Sequence, residues 1–389
     1  MTKRVAIVYH FFANYRKPIL NELSRNQKFE FTFVADAVNR LMPEVETWKP
    51  QEPIQQARCF PIGGGFMIQT GLLKVAWKRD TDCIVFLGDW KWPMTWLGAL
   101  LARFRGKRVL FWTHGWRTRD IGIKRAIRKL FYRLPHGLLL YGNRARNIAI
   151  EMGFPPDSLY VVFNSLDYDT HANWRKHYDE AHSSAIRKQL FEDDKTPVVI
   201  CSARLNKRKR LDELIVAISE LKKQSHPVNL ILIGDGSEKV QLAKLAEQHE
   251  VKIHFEGKCF DEKRIADLTM AANVTVSPGP IGLTAIQSLT YGVPAITNDE
   301  FSTQGPEFEA IEPGVSGDFF PNSNLQELAY QIKKWTSTQF ISPHIRANCS
   351  SIVDRFYNPQ FQATVFESAI SSTPATEHNW RQTKFPFVT

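Results

Sequence analysis

Arg204 and Lys209 stand five residues apart, directly after an apolar run that reads as a strand. Their types suit a polyanion, because a guanidinium grips two oxygens at once and an ammonium acts as a point charge. Lys207-Arg208-Lys209-Arg210 by itself would read as a solvated basic turn, but its surroundings point further. Residues 231–238, Ile-Leu-Ile-Gly-Asp-Gly-Ser-Glu, form a buried strand broken at Gly234 by a Gly-Asp-Gly turn. Residues 277–294 read as a strand, a glycine loop, a helix and the start of another strand. Gly279 and Gly282 let backbone approach a ligand. A helix beginning near Leu283 and Thr284 offers N–H groups and the positive end of its dipole to phosphate. The three segments in this order predict a site for a nucleotide diphosphate.

The first half offers candidates for the reacting centre. His114, in Trp-Thr-His-Gly-Trp, follows an apolar run, and a histidine there is either structural or close to a substrate. Asp89 also follows a strand-like run; it could deprotonate an acceptor hydroxyl or cap the helix after Pro93. Tyr15 and Arg16, after the first strand, sit where an acceptor phosphate could be received, or else begin a helix. Asp80-Thr81-Asp82 has the Asp-x-Asp pattern of a metal–diphosphate site, but it precedes its strand, and no other cluster has metal-ligand spacing. No metal is expected.

The elements that must hold these residues alternate. Short runs rich in β-branched and aromatic residues occur at 4–9, 29–35, 83–87, 108–112, 137–141 and 160–163. They recur at 197–202, 229–233, 252–256, 274–277 and 295–297, separated by amphipathic stretches. The expected fold class is α/β, two Rossmann-like doubly wound domains facing a cleft. We place an acceptor-binding domain at 1–170, a nucleotide-sugar-binding domain at 171–345, a helix over 346–370 that could cross back, and a polar tail at 371–389 containing Trp380 and Phe385. Ligands of such sheets bind outside the carboxyl ends of the strands, where every candidate above lies.

On these motifs the sequence resembles the retaining family-four glycosyltransferases, which have the GT-B architecture and use nucleotide-sugar donors. Arg204 and Lys209 fall where that family places its diphosphate-binding pair, and Gly234-Asp235-Gly236 matches its Gly-Asp-Gly turn. Gly282-Leu283 through Gly292-Val293-Pro294 matches its Gly-Leu…Gly-x-Pro segment, and His114 matches the histidine near the donor sugar. The resemblance is strong over 197–320 and covers the first half in outline. One departure stands out: the family's Glu-x7-Glu pair falls on Gly279 and Gln287. Gln287 can still bond ribose hydroxyls, whereas Gly279 has no side chain. Glu307 and Glu309 either supply the missing carboxylate or are solvated loop acids.

Composition narrows the setting. Hydrophobic residues at 43% and charged residues at 23% describe a folded chain, excluding fibrous and disordered classes. The five scattered cysteines and the absence of a signal-peptide pattern or an apolar span predict a cytoplasmic protein. The net charge of +10 is uneven: residues 1–169 hold 26 Lys and Arg against 14 Asp and Glu. Residues 103–133 hold eleven bases and one acid, Asp120. In the helix over 124–134, Arg125, Arg128 and Lys129 lie on a basic side opposite Ala126, Ile127, Leu130, Phe131 and Leu134. We expect that apolar side to pack on the sheet and the basic side to lie on an anionic membrane surface. Nothing besides charge suggests nucleic acid. The reading is a metal-independent glycosyltransferase, peripheral on the membrane's inner face. It moves a hexose from a nucleotide sugar to a lipid-linked or polysaccharide acceptor in surface-glycan biosynthesis, with retention favoured. The alternative is a catalytically silent GT-B module that binds a nucleotide sugar or a partner protein.

Overall fold

The computed structural model describes residues 2–43, 45–49, 54–337 and 342–377. The chain divides into two compact units, Met1–Asp167 with Asn358–Thr389, and Tyr168–Tyr357.

The first unit is built on a seven-stranded parallel sheet. Its strands lie side by side as Gln55–Gln56, Phe29–Ala35, Lys3–Val8, Cys83–Leu87, Arg108–Thr113, Gly137–Leu140 and Leu159–Val161. The order reverses between Lys3–Val8 and Cys83–Leu87, which opens a crevice at their carboxyl ends. The second unit has six parallel strands in the order Ile253–Gly257, Asn229–Ile233, Val198–Ser202, Val274–Ser277, Ala295–Asn298 and Gly317–Phe320. Its reversal lies between Val198–Ser202 and Val274–Ser277. These are two Rossmann-like units. Strands such as Asn-Leu-Ile-Leu-Ile are buried on both faces, so their apolar runs are continuous where an open antiparallel sheet would alternate.

Several elements differ from the sequence reading. The hairpin Cys59–Gly63/Phe66–Gln69, the helix Leu72–Trp77 and the strand Gly317–Phe320 are too short for periodicity to reveal. The single helix expected over 346–370 is two, Pro343–Phe356 and Pro359–Ser371. The break is chemical: the Asn358 side chain accepts from Phe361 N at 2.8 Å, capping a new helix with Pro359 in its first turn. That second helix packs in the first unit, where Phe366 meets Trp112 edge-on and Gln362 Nε2 donates to Phe163 O. Of the expected tail, residues 378–389, with Trp380 and Phe385, lie outside the described residues.

The helix Gly122–Tyr132 presents a different face from the one expected. Only Phe131 and Tyr132 are buried, whereas Ile127 and Leu130 face solvent, Leu130 with 60% exposure. Arg128 turns inward, donating to Asp120 Oδ2 and to Gly115 O. The reason is Asp120, which is buried and must be paired; Lys124 adds a second contact at 3.3 Å. Arg128 is therefore committed within the fold and is not a free membrane-facing cation, unlike the exposed Arg125.

This orientation has a direct check. Phe131→Ala should cost about 3–5 kcal/mol of stability and Leu130→Ala well under about 1 kcal/mol, measured by denaturant unfolding. Equal costs would mean that the helix is rotated.

Candidate functional site

In the second unit three loops converge at the carboxyl ends of the strands flanking the reversal. Ala203 N donates to Ile233 O at 2.9 Å and Leu205 N to Asp235 O at 3.0 Å, so the segment holding Arg204 is laid against Gly234-Asp235-Gly236. The approach is so close that a Cβ on Gly234 would lie 1.9 Å from Ala203 O. The Arg204 side chain projects from this seam, exposed, and among the described residues its guanidinium makes no hydrogen bond or ion pair, while its carbonyl accepts from Asn206 N at 2.9 Å. Lys209 is more enclosed. Its Nζ donates to Pro280 O and its carbonyl accepts from Gly279 N at 3.1 Å, joining the basic turn to the glycine loop. Burial, reinforced by Arg208 and opposed by Cys201, lowers the Lys209 pKa from its ordinary value.

A buried network fixes the loop from below. Gln304 Oε1 accepts from Ile281 N at 3.0 Å, and its Nε2 donates to Thr297 Oγ1 at 3.0 Å. Thr297 Oγ1 donates to Ser277 O, and Asn298 Nδ2 to Pro278 O. Thr284 Oγ1 donates to Ser202 O at 3.1 Å, tying the two sides of the reversal together. The helix that follows, Thr284–Thr290, has seven residues, with Leu283 as its N-cap and Gln287 half-buried. Gly282, at φ +59°, has open space where a side chain would stand.

The glycine at position 279 has a steric cause. A Cβ on Gly279 would lie 2.3 Å from Arg208 O and 2.8 Å from Lys209 Cα, so the basic turn occupies the place of a side chain. Glu307 and Glu309 are both buried, at 5% and 1% exposure, in the turn Pro306–Ala310, which removes the solvated alternative. The Glu307 carboxylate lies against Gly305, which in turn adjoins Gly282. Glu309 has no open side.

In the first unit the centre of the corresponding crevice is Arg16. It is 5% exposed, its Nη2 donates to Tyr9 OH at 3.2 Å, and its Nη1 is buried without a hydrogen-bond partner. Its guanidinium carbon lies 4.7 Å from the Trp112 ring centroid, 5.0 Å from Tyr9, 5.3 Å from Tyr15 and 5.4 Å from Tyr141. Among the described residues no carboxylate forms an ion pair with it. Burial would lower its pKa, but Tyr141, Tyr9 and Tyr15 outweigh that, and it stays charged. The His114 ring lies against that of Tyr141, tilted by 37° with centroids 4.6 Å apart. Although its ring reaches solvent, desolvation, then Arg16 and Arg117, hold its pKa down at about 4. Desolvation and Arg16 likewise hold His10 at about 3. Asp89 is not the cap of the helix Pro93–Phe104: its Oδ1 accepts from Lys91 N at 3.0 Å in a local turn. No hydrogen bond or ion pair joins Asp89 to His114 among the described residues.

Sequence reasoning missed His10, Thr297 and Asn298, although His10 follows a strand and Thr297 and Asn298 end one, so the same rule applies to them. Gln304, Tyr9 and Tyr141 carry no chemical spacing signal. Among the described residues no three His, Cys, Asp or Glu side chains are grouped to hold a metal, and no helix is long and apolar enough to cross a membrane.

Residues 183–351, which include the three converging loops, match the family described as Glycosyl transferases group 1. The matched stretch lies almost wholly within the second unit. A GDP-mannose-dependent monoacylated alpha-(1-6)-phosphatidylinositol monomannoside mannosyltransferase of Corynebacterium glutamicum is 29% identical over 156 residues, 38% of this chain and 39% of its own length. A GDP-mannose-dependent alpha-(1-6)-phosphatidylinositol dimannoside mannosyltransferase of Mycobacterium tuberculosis is 30% identical over 104 residues, 26% of this chain and 27% of its own. The matched stretches thus span well under half of those relatives. The structure of Anabaena HepE in complex with UDP superposes with a TM-score of 0.69 at 18% identity, over 95% of this chain and all of that one. The fold that this chain shares with it is GT-B, built from two Rossmann-like units.

Two outcomes follow from this geometry. Gly279→Glu should destabilise the second unit by about 1–3 kcal/mol and weaken nucleotide binding, because the side chain must displace backbone. A gain in turnover with unchanged melting would contradict the packing described. The depressed histidines make a pH prediction. Both are neutral when folded and titrate near 6.5 when unfolded, so their contribution is complete above about 6.5 and is lost as pH falls towards 4 and 3. The drop in Tm between pH 7 and pH 5 should therefore be smaller in His10→Gln than in the wild type; identical drops would show that His10 is not desolvated.

Proposed function

We propose that this protein transfers a hexosyl group from a nucleotide-diphosphate sugar, bound by the second unit, to a lipid-linked or polysaccharide acceptor bound by the first. It does so in surface-glycan assembly, with retention and without a metal. The observation that carries the reading is Arg204, an exposed, unpartnered cation on a glycine-locked seam beside Lys209 and the open backbone of Gly282. The two mannosyltransferase relatives, named for GDP-mannose and phosphatidylinositol mannosides, support a nucleotide-sugar donor and a lipid-linked acceptor.

In the reaction the bond from the anomeric carbon to the diphosphate breaks, and the electron pair leaves with the phosphate oxygen. Arg204 and Lys209 stabilise that developing charge without reorganising. Gln287 bonds the donor ribose, and Glu307, beside Gly305, supplies the carboxylate that Gly279 cannot. His114 acts at the donor sugar as a neutral imidazole. Arg16 receives the acceptor phosphate, with Tyr15 at its edge. In a retaining transfer the proton of the acceptor hydroxyl passes to the departing phosphate, so Asp89 is not needed as a base. The enzyme works at the cytoplasmic face of the membrane, where a lipid-linked acceptor is presented.

A second reading, a silent module that binds a nucleotide sugar, is favoured by one observation: Gly279 leaves no room for the family's carboxylate. Calorimetry and turnover separate the two. Arg204→Ala and Lys209→Ala should each weaken nucleotide-diphosphate binding by about 2–5 kcal/mol. Transfer should persist in EDTA and in Asp89→Asn, where loss of a general base would remove about 10²- to 10⁴-fold. Wild-type affinity in both cation variants would remove the donor site, and tight binding with no transfer to any acceptor would leave the silent module.

A further inference from the structure

Three helices of the first unit, Leu72–Trp77, Pro93–Phe104 and Gly122–Tyr132, send their inner faces into one core around Leu72, Ala99 and Phe131. They are neighbours. Trp96 packs on Phe131 at 4.9 Å, Arg103 Nη1 donates to Leu134 O at 2.9 Å, and the Arg105 guanidinium lies 4.7 Å from the Trp77 ring. Crossover helices ordinarily turn polar residues outward. These turn out apolar stripes at helical spacing: Leu97, Leu100 and Phe104 on one helix, and Ile123, Ile127 and Leu130 on another, with Phe104 82% and Ile123 80% exposed. On the helical wheel the exposed Lys124 and Arg133 flank the second stripe on either side, with Lys129 beyond Arg133, while Arg128 is turned inward to Asp120. Apolar side chains bordered by cations, on a helix lying flat against its own unit, are the pattern of an interfacial helix.

We infer that this three-helix face docks by inserting its apolar stripes into an anionic bilayer, with the flanking cations meeting the lipid head groups. The occupant is indicated by charge: an anionic surface complements the bases of residues 103–133, whereas a second copy would set like charges against each other. The inference rests on the reading of a lipid-linked acceptor and adds the means of attachment, which is apolar insertion and not charge alone. Attachment by charge fades with salt, while insertion leaves a salt-resistant remainder.

The test compares the wild type with the triple variant Phe104→Ser, Ile123→Ser, Leu130→Ser, which keeps every charge and alters only exposed side chains. Co-sedimentation uses vesicles of phosphatidylcholine containing phosphatidylglycerol, at physiological salt and at about 1 M, where the screening length is about 3 Å. The wild type should stay partly bound at high salt, and the variant should lose about tenfold or more of its partition coefficient, with unchanged melting. Equal binding of the two proteins would overturn the inference. So would wild-type release at high salt. A wild-type dimer that the variant dissolves, with no vesicle binding, would assign the face to a second copy and overturn it as well. Transfer to a water-soluble acceptor is measured in parallel: if it persists without vesicle binding, the docking face fails alone, and if vesicle binding persists without transfer, the proposed activity fails alone.

Discussion

The second unit depends on backbone touching backbone at the sheet's reversal. The segment Ala203–Leu205 lies on Gly234–Gly236, and Arg208-Lys209 lies on Gly279, with no Cβ between any of them. Two consequences follow. The backbone that carries Arg204 and Lys209 is fixed by main-chain hydrogen bonds to the neighbouring loops, so much of the entropy of placing these cations is met on folding and not on binding. The same closeness leaves no room for a side chain at position 279. A rigid cationic seam and a carboxylate at position 279 compete for the same space, and this chain has the seam.

The first unit is organised by the opposite kind of contact, a charge buried without a countercharge. Arg16 is enclosed by Tyr9, Tyr15, Trp112 and Tyr141, whose ring faces and hydroxyls offset part of its desolvation and leave Nη1 unmatched. Burial keeps His10 and His114 neutral, and the field of Arg16 adds to it, because a second cation beside it would be costly. A crevice with a fixed cation and two neutral imidazoles favours an anionic occupant over a neutral one.

The legibility of these features in the sequence followed their physics. The strand-ending rule located Arg204, Lys209, Gly282, Arg16 and His114, because residues at strand ends are placed by the sheet and the sheet is written in its apolar runs. Gln304 was invisible, since it reaches the glycine loop from a later segment and nothing local marks it. The helix Gly122–Tyr132 was legible as a helix but not in its rotation. Periodicity identified the apolar side correctly, and the assumption that an apolar side must face the core was what failed. One buried acid, Asp120, drew Arg128 inward and set the rotation. A single buried charge outweighed three aliphatic side chains because leaving it unpaired costs more than leaving them exposed.

That comparison also explains how such a helix stays in place before it meets anything. Phe131 and Tyr132 bury fully, and Arg128 adds hydrogen bonds to Asp120 and Gly115 O, so the helix is anchored at its carboxyl-terminal half and by one inward cation. Exposed Ile123, Ile127 and Leu130 contribute nothing to that anchoring and oppose solubility. A surface that neither stabilises the fold nor favours solution has to be accounted for by what it touches. The charge distribution agrees: the excess of bases lies in residues 1–169, while the remainder, with 24 Lys and Arg against 26 Asp and Glu, is close to neutral. Under the proposed transfer from a soluble donor to a lipid-linked acceptor, one cationic unit is enough to bring the protein to an anionic surface, and a second would have the fixed cations of its loops screened by lipid phosphate.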